Sequence, residues 1–225
     1  MAKILVSTLI YGGVEAHPYT SHCNFWFRVG KCMPEHEIMF FSPERYPIDA
    51  ARNKSFTQSV LSEYDYVFFY DTDMVLDPDV LIKLMARDKP VIMAYCAVRG
   101  YPFRSMIYRY GNIEKTVLDS FEPSEQEWKE GIIKVDALGT ACTLIKTDVF
   151  KHIPYPYFMN GKYHTEDMYF CILVNQVLQD QFWCDLTVEA GHMTNPILLH
   201  SKNRDALKDF YEKGNNSSFY PINKT

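Results

Sequence analysis

The chain has 225 residues, of which 47% are hydrophobic and 15% aromatic, and its 23 Lys and Arg against 28 Asp and Glu leave a net charge of −5. This hydrophobic fraction excludes a disordered chain, and the length suits one large domain that needs no disulfide staples. The negative balance removes the default electrostatic argument for a nucleic-acid binder.

The N-terminal MAKILVSTLIYGG has too short an apolar stretch, and no A-x-A-like site, to read as a signal peptide. A first strand is therefore predicted over Lys3–Leu9, with a cytoplasmic location. The longest apolar run, Val91–Val98, is far below the roughly 18 residues that suggest a membrane span. After the Gly12-Gly13 loop a helix is expected over Tyr19–Val29, then a strand over Glu37–Phe41. A helix follows over Ile48–Leu61, with Pro47 as a first-turn residue. Tyr66–Tyr70 reads as a strand buried on both faces. Asp77-Pro78 reads as an N-cap followed by a first-position Pro, opening a helix to about Met85. Val91–Cys96 is a fourth strand. This alternation argues for an α/β fold with a mostly parallel sheet.

The second half is less regular. Strands are expected at Met106–Tyr110, Ile132–Ala137, Thr140–Lys146 and Phe182–Val188, and a short helix or loop at Glu122–Lys129. The Pro-, Gly- and aromatic-rich stretch 154–164 should be a loop, after which Thr165 caps a helix to about Leu178. No boundary divides residues 1–200, and 201–225 form a tail with one possible helix bearing Leu207, Phe210 and Tyr211 on one face. The six cysteines, Cys23, Cys32, Cys96, Cys142, Cys171 and Cys184, form no C-x-x-C pair. Free, mostly buried thiols are expected.

Four constellations could carry chemistry. Asp71-Thr72-Asp73 follows the buried strand, where ligands of open α/β sheets bind. Two carboxylates there can hold a divalent cation, or can be solvated loop acids. Arg52 opens the preceding helix and is either a phosphate donor or an ordinary helix arginine. Glu166 and Asp167 in the first turn after Thr165 complement the helix dipole, or present a general base to the cleft. His192, beyond the last strand, is a metal ligand or simply a hydrogen-bonded histidine.

The order P-I-D-A-A-R-N, Y-D-Y-V-F-F-Y-D-T-D-M-V-L-D-P-D-V-L, K-P-V-I-M-A-Y-C, R-G-Y-P, A-L-G-T-A-C-T-L-I-K-T-D-V-F, H-T-E-D-M-Y-F-C and V-E-A-G-H resembles a family 2-type glycosyltransferase with the GT-A nucleotide-sugar-binding fold. The resemblance spans about Lys3 to His192. It implies Asp71 near the ribose or base, Asp73 and His192 on a Mn²⁺ or Mg²⁺ ion at the diphosphate, and Asp167 as catalytic base with Glu166 beside it. It also implies Gly139 and Thr140 in the sugar and acceptor pocket, Thr8 and Tyr11 at the nucleotide base, and Arg52 and Arg99 near the donor. UDP is the implied nucleotide, and GDP or dTDP fit the same pattern. The acceptor hydroxyl is open among a glycan, a protein, a lipid-linked sugar and a modified nucleic-acid base. The Q-x-x-R-W motif of processive synthases is missing, so transfer should be non-processive, and direct displacement would invert the anomeric carbon. Tyr101, Phe103, Tyr155, Tyr157, Phe158 and Tyr163 are expected to border the donor site.

Three other readings compete. Asp71-Thr72-Asp73-Met74-Val75 fits the D-x-D-x-[TV] motif of haloacid-dehalogenase-type phosphatases, but two strand–helix units precede it and a later Gly-Asp-x-x-x-Asp motif is missing. A nucleotidyltransferase would need a basic Gly-rich loop after the first strand, and Tyr11-Gly12-Gly13-Val14-Glu15 has no Lys or Arg. A non-catalytic carbohydrate-binding scaffold would not need the acids at Asp71, Asp73 and Asp167.

Overall fold

The computed structural model describes residues 1–10, 12–112, 114, 117–194 and 197–213. The elements in chain order are β1 (Lys3–Leu9), α1 (Ala16–Cys32), β2 (Glu37–Phe41), α2 (Ile48–Lys54), α3 (Gln58–Glu63), β3 (Tyr66–Asp71), β4 (Met74–Val75), α4 (Val80–Ala86), β5 (Val91–Tyr95), β6 (Ile107–Tyr110), β7 (Leu118–Ser120), α5 (Glu125–Glu130), β8 (Ile132–Val135), β9 (Ala137–Leu138), β10 (Cys142–Lys146), a 3-10 turn (Thr147–His152), α6 (Glu166–Val177), β11 (Phe182–Glu189), β12 (Gly191–Thr194), β13 (Ile197–Leu199) and α7 (Ser201–Glu212).

The fold is mixed α/β with a seven-stranded central sheet in the order β2-β1-β3-β10-β5-β11-β8. Strands β2, β1, β3, β5 and β11 run one way, while β10 and β8 oppose them. Strands β1, β3 and β5, whose central residues are all buried, occupy the interior, as strands covered on both faces must. Two small sheets flank this one, β13-β12-β4 and β7-β6-β9. A continuous apolar core reaches from Ile4 to Ala190. Among the described residues no helix is long and apolar enough to cross a membrane.

Several elements differ from expectation for local reasons. The helix predicted over Ile48–Leu61 is two helices. The Thr57 hydroxyl accepts the Val60 amide and starts α3 afresh, while Phe56 drops into the core between them, 2% exposed against Phe69, Phe150 and Phe158. The helix expected to begin at Pro78 begins at Val80. Asp77 instead closes a preceding turn, its Oδ1 accepting from Asp79 N at 2.8 Å and its carbonyl from Val80 N at 3.0 Å. Thr165 does stand at the N-cap of α6, but its hydroxyl donates to Asp167 Oδ1 rather than capping a backbone amide.

The aromatic loop residues split. Tyr157 and Phe158 join a buried ring cluster with Phe56 and Phe150, and Phe103 packs with Ala97, Leu199 and Leu207 of α7. Tyr101, Tyr155 and Tyr163 stay exposed. The expected helical stripe of the tail thus contributes Leu207 to the core, while the Phe210 and Tyr211 side chains lie outside the described residues.

Candidate functional site

Strand β3 carries Asp71 out of the core at its C-terminal end, where the Asp71 amide donates to Ala141 O at 2.9 Å. Thr72 and Asp73 make the turn into β4. The short β4 then pairs antiparallel with β12, with His192 opposite Met74 and Met193 N donating to Asp73 O at 2.9 Å. This register is what brings His192 beside Asp73. The imidazole Nε2 lies 3.2 Å from Asp73 Oδ2, and Arg99 Nη1 donates to the same oxygen at 3.0 Å. His192 Nδ1 is 2.9 Å from Ala97 O. A carbonyl can only accept, so Nδ1 carries a proton and Nε2 faces the carboxylate.

These contacts set the charges. Burial pushes Asp73 upward, but the hydrogen bond and charge of His192, with the charge of Arg99, outweigh it and hold the carboxyl below its ordinary value. Burial disfavours the His192 cation, yet Asp73 and the Ala97 carbonyl raise its pKa above the ordinary value. A proton is therefore favoured on the imidazole between the two side chains.

The donor chemistry fits a divalent cation. A carboxylate and a carbonyl-oriented imidazole supply two ligands, a mixed oxygen and nitrogen set that suits Mn²⁺ at least as well as Mg²⁺. Among the described residues no group of three or more His, Cys, Asp or Glu is placed to hold a metal. An ion held by Asp73 and His192 would need its remaining ligands from elsewhere.

A cavity of about 530 Å³ opens above this cluster, lined on one side by Asp71, Thr72, Asp73, Arg99 and His192. Its other wall is Leu9, Ile10, Gly13, Glu15, Pro43 and the Tyr46–Ile48 segment with Ala51. Thr8 does not line it. The threonine is 3% exposed within β1, so the residues after it, Leu9 and Ile10, take that place. Tyr11 lies outside the described residues. Glu15 and Tyr46 had no sequence signal, because nothing local marks a loop residue as facing a cavity.

Arg52 is buried, 2% exposed, and does not reach the cavity surface. Its Nε donates to Glu166 Oε1 at 3.0 Å, its Nη2 to Asp71 Oδ1 at 3.3 Å, and its guanidinium lies 5.0 Å from the Phe69 ring centroid. Nη1 is buried without a partner among the described residues. Arg52 thus ties the end of β3 to the start of α6. Burial raises the Asp71 and Glu166 carboxyls above their ordinary values, with Arg52 opposing the shift in both.

Beside Glu166, the half-buried Asp167 uses Oδ1 for both of its bonds, from Thr165 Oγ1 and from Met168 N at 2.8 Å. Its Oδ2 points toward Gly139, where a Cβ would come within 3.5 Å of it and within 2.3 Å of Met106 Cε. The missing Cβ of Gly139 therefore makes room for the Met106 side chain, which packs beside this oxygen. Thr140 is fully buried, its hydroxyl unpartnered among the described residues.

The His192–Asp73 contact predicts a pH signature in the metal-free protein. The Asp73 pKa is depressed, so its stabilisation is complete above the ordinary 3.8 and is lost as pH falls through the folded value. The His192 pKa is raised, so its stabilisation is complete below the ordinary 6.5 and is lost as pH rises through the folded value. With EDTA present, the melting-temperature gap between wild type and His192→Gln should be widest between about pH 4 and 6.5. A gap that keeps widening toward pH 9 would contradict a histidine held as a cation by Asp73.

No protein-family model matches the chain, and no curated protein matches its sequence. Solved structures do match in fold. The crystal structure of A197 from STIV is 18% identical with a TM-score of 0.54, over 88% of this chain and 93% of that one. The inositol-1-phosphate CTP transferase from T. maritima is 10% identical with a TM-score of 0.50, over 94% and 98%. UDP-glucose pyrophosphorylase complexed with UDP-glucose is 8% identical with a TM-score of 0.50, over 95% and 100%. At these identities the likeness is one of architecture, and it places the chain among Rossmann-like α/β folds of the kind that holds UDP-glucose in the last of these.

Proposed function

We propose that this protein is a divalent-metal-dependent glycosyltransferase that moves a sugar from a nucleotide-diphosphate donor, a UDP-sugar in the first instance, to a hydroxyl acceptor with inversion. The observation that carries the reading is the junction of three parts. Asp73 and His192 meet at the cavity, Asp167 stands at the start of α6, and the buried Arg52 ties Asp71 to Glu166 between them.

Each part has a task in this chemistry. Tyr46, Pro47, Ile48 and Asp71 line the cavity; on this reading the first three would form an apolar wall for the nucleobase and Asp71 would accept from the ribose hydroxyls. Arg99, 65% exposed at its side chain, is free to turn from Asp73 to a diphosphate oxygen. A divalent cation held by Asp73 and His192 would act as a Lewis acid that neutralises the leaving diphosphate. Asp167 Oδ2, with Oδ1 fixed by Thr165 and Met168, takes the proton of the attacking hydroxyl. Glu166, bonded to Arg52 and 5% exposed, orients the start of α6 and does not itself meet the substrate.

The fold shared with a CTP transferase and a pyrophosphorylase makes nucleotidyl transfer the second reading. That reaction must bind a nucleoside triphosphate. Arg99 is the only Lys or Arg among the described lining of the cavity, while Glu15, Asp71 and Asp73 add negative charge there. This balance favours a diphosphate bound through a metal. A phosphatase with Asp71 as nucleophile fits less well, because Asp71 is already ion-paired to Arg52.

The decisive test is nucleotide release from a panel of UDP-, GDP- and dTDP-sugars and from nucleoside triphosphates, with Mn²⁺, Mg²⁺ or EDTA. Metal-dependent release of UDP supports the reading, and pyrophosphate release from a triphosphate would replace it with nucleotidyl transfer. Asp167→Asn should keep donor binding but lower transfer by about 10²–10⁴-fold, the usual worth of a general base. Unchanged transfer in that variant would place the base elsewhere.

A further inference from the structure

A second cavity, of about 750 Å³, shares no lining residue with the first and runs along the flank of α6. Met168, Ile172, Asn175 and Gln176 form one helical face toward it, Gln179 lines it just past the helix end, and Tyr108 and Leu118 of the β6–β7 ribbon stand opposite. From Met168 to Gln176 the helix rises roughly 12 Å, so the groove is longer than one sugar ring. Its volume lies within the range of small-molecule sites.

Its chemistry narrows the ligand. The described lining holds two carboxylates, Asp136 and Asp180, and no Lys or Arg. Asp180 is paired with Lys134 at 2.8 Å, which leaves the Asp136 charge facing the cavity. Like charge therefore excludes a phosphate or nucleotide. The polar groups are fixed but not saturated. Asp136 Oδ2 accepts from Tyr110 N at 2.9 Å, and Asn175 Nδ2 donates to Asp136 O at 2.7 Å. Asp136 Oδ1, Asn175 Oδ1, the Tyr108 hydroxyl and the Gln176 amide make no hydrogen bond among the described residues. Unsaturated acceptors between aromatic and aliphatic faces match a sugar ring, with its apolar C–H faces and hydroxyl edges.

The groove also lies against the start of α6. Met168 follows Asp167 directly, and Tyr163 and His164 at the rim precede the acids of α6. Burial and then the Asp167 charge push the Tyr108 phenol up to about 12, so it remains a neutral donor.

We infer that the groove between α6 and the β6–β7 ribbon binds a neutral oligosaccharide and, on the glycosyltransferase reading above, makes the acceptor a glycan whose terminal hydroxyl reaches Asp167. The remainder of the glycan lies along α6, between Tyr108 and Gln176.

The test uses the full chain without nucleotide. Maltotriose, cellotriose, mannotriose and N-acetylchitotriose are titrated by calorimetry and by saturation-transfer NMR, with spermidine as a cationic control. At least one trisaccharide should bind. Tyr163→Ala, at a site 87% exposed and thus safe for folding, should weaken binding about five- to ten-fold, the loss of one aromatic contact. Gln176→Trp, also on an exposed position, should fill the groove and abolish binding. The inference is overturned if none of the four binds, if binding survives Gln176→Trp unchanged, or if spermidine binds in their place. Saccharide binding without nucleotide release from any donor leaves the groove standing and removes glycosyl transfer. Nucleotide release without saccharide binding does the reverse.

Discussion

Asp73→Ala is expected to lower metal-dependent nucleotide release by roughly 10³-fold or more, the scale of losing several kcal/mol of charge stabilisation at the leaving group. The carboxylate is the point where the site's charges converge, since His192 and Arg99 both bond to its Oδ2. Removing it leaves His192 without its anionic partner, so the imidazole pKa should fall and its NMR titration should move to lower pH. The fold should persist, because Asp73 lies in a turn at the cavity and is not part of the apolar core. The measurements are initial rates with Mn²⁺ and Mg²⁺, a histidine titration, and a thermal melt. Wild-type rates in a folded Asp73→Ala protein would remove the metal role altogether.

Arg52→Leu should produce the largest loss of stability among single changes at the site. It removes the cation between two partly or fully buried carboxylates, Asp71 and Glu166. Stripping one partner from a buried ion pair typically costs about 3–5 kcal/mol. The contact of the guanidinium with the Phe69 face is lost as well. Lysine cannot bridge both acids with a planar fork, so Arg52→Lys should recover only part of the loss.

The pH dependence identifies the cause. Without Arg52 the two carboxyls, already raised by burial, rise further in the folded state. A carboxyl with a raised folded pKa weighs against folding once pH exceeds its unfolded value, and the penalty fades as pH falls. The deficit of Arg52→Leu in urea unfolding should therefore be larger near pH 7 than near pH 4.5. An equal deficit at both would assign the effect to packing. Activity should be lost in parallel, since Arg52 holds the D-x-D strand end against the helix that bears Asp167.

Much of the framework was legible in the residues. The apolar run Tyr66–Tyr70 marked a strand buried on both faces, Lys3–Leu9 and Val91–Cys96 were legible as strands, and Thr165 marked the start of α6. The motif order along the chain pointed to a nucleotide-sugar fold before any pairing was known. Local periodicity, however, states which face of an element is buried and not which strand lies beside it. So β10 was visible as a strand, but not as an antiparallel insert between β3 and β5. The breaks at Phe56 and Val80 were hidden because side-chain bonds and one buried ring overrode the apolar spacing.

The site divides along the same line. The sequence by itself determined which side chains have the chemistry: two acids after a buried strand, two more at a helix start, one arginine and one histidine. Only the tertiary structure decided which of them meet. Residues 119 positions apart, Asp73 and His192, are joined by the two-residue strand β4, too short to carry any periodic signal. Arg52 and Glu166, 114 apart, are joined by a buried ion pair that moved both from the cavity surface to the layer beneath it. The physical reason is common to both. Hydrogen bonds and charges act over a few ångströms of space, and long-range strand pairing, which no local stretch of sequence encodes, sets that distance.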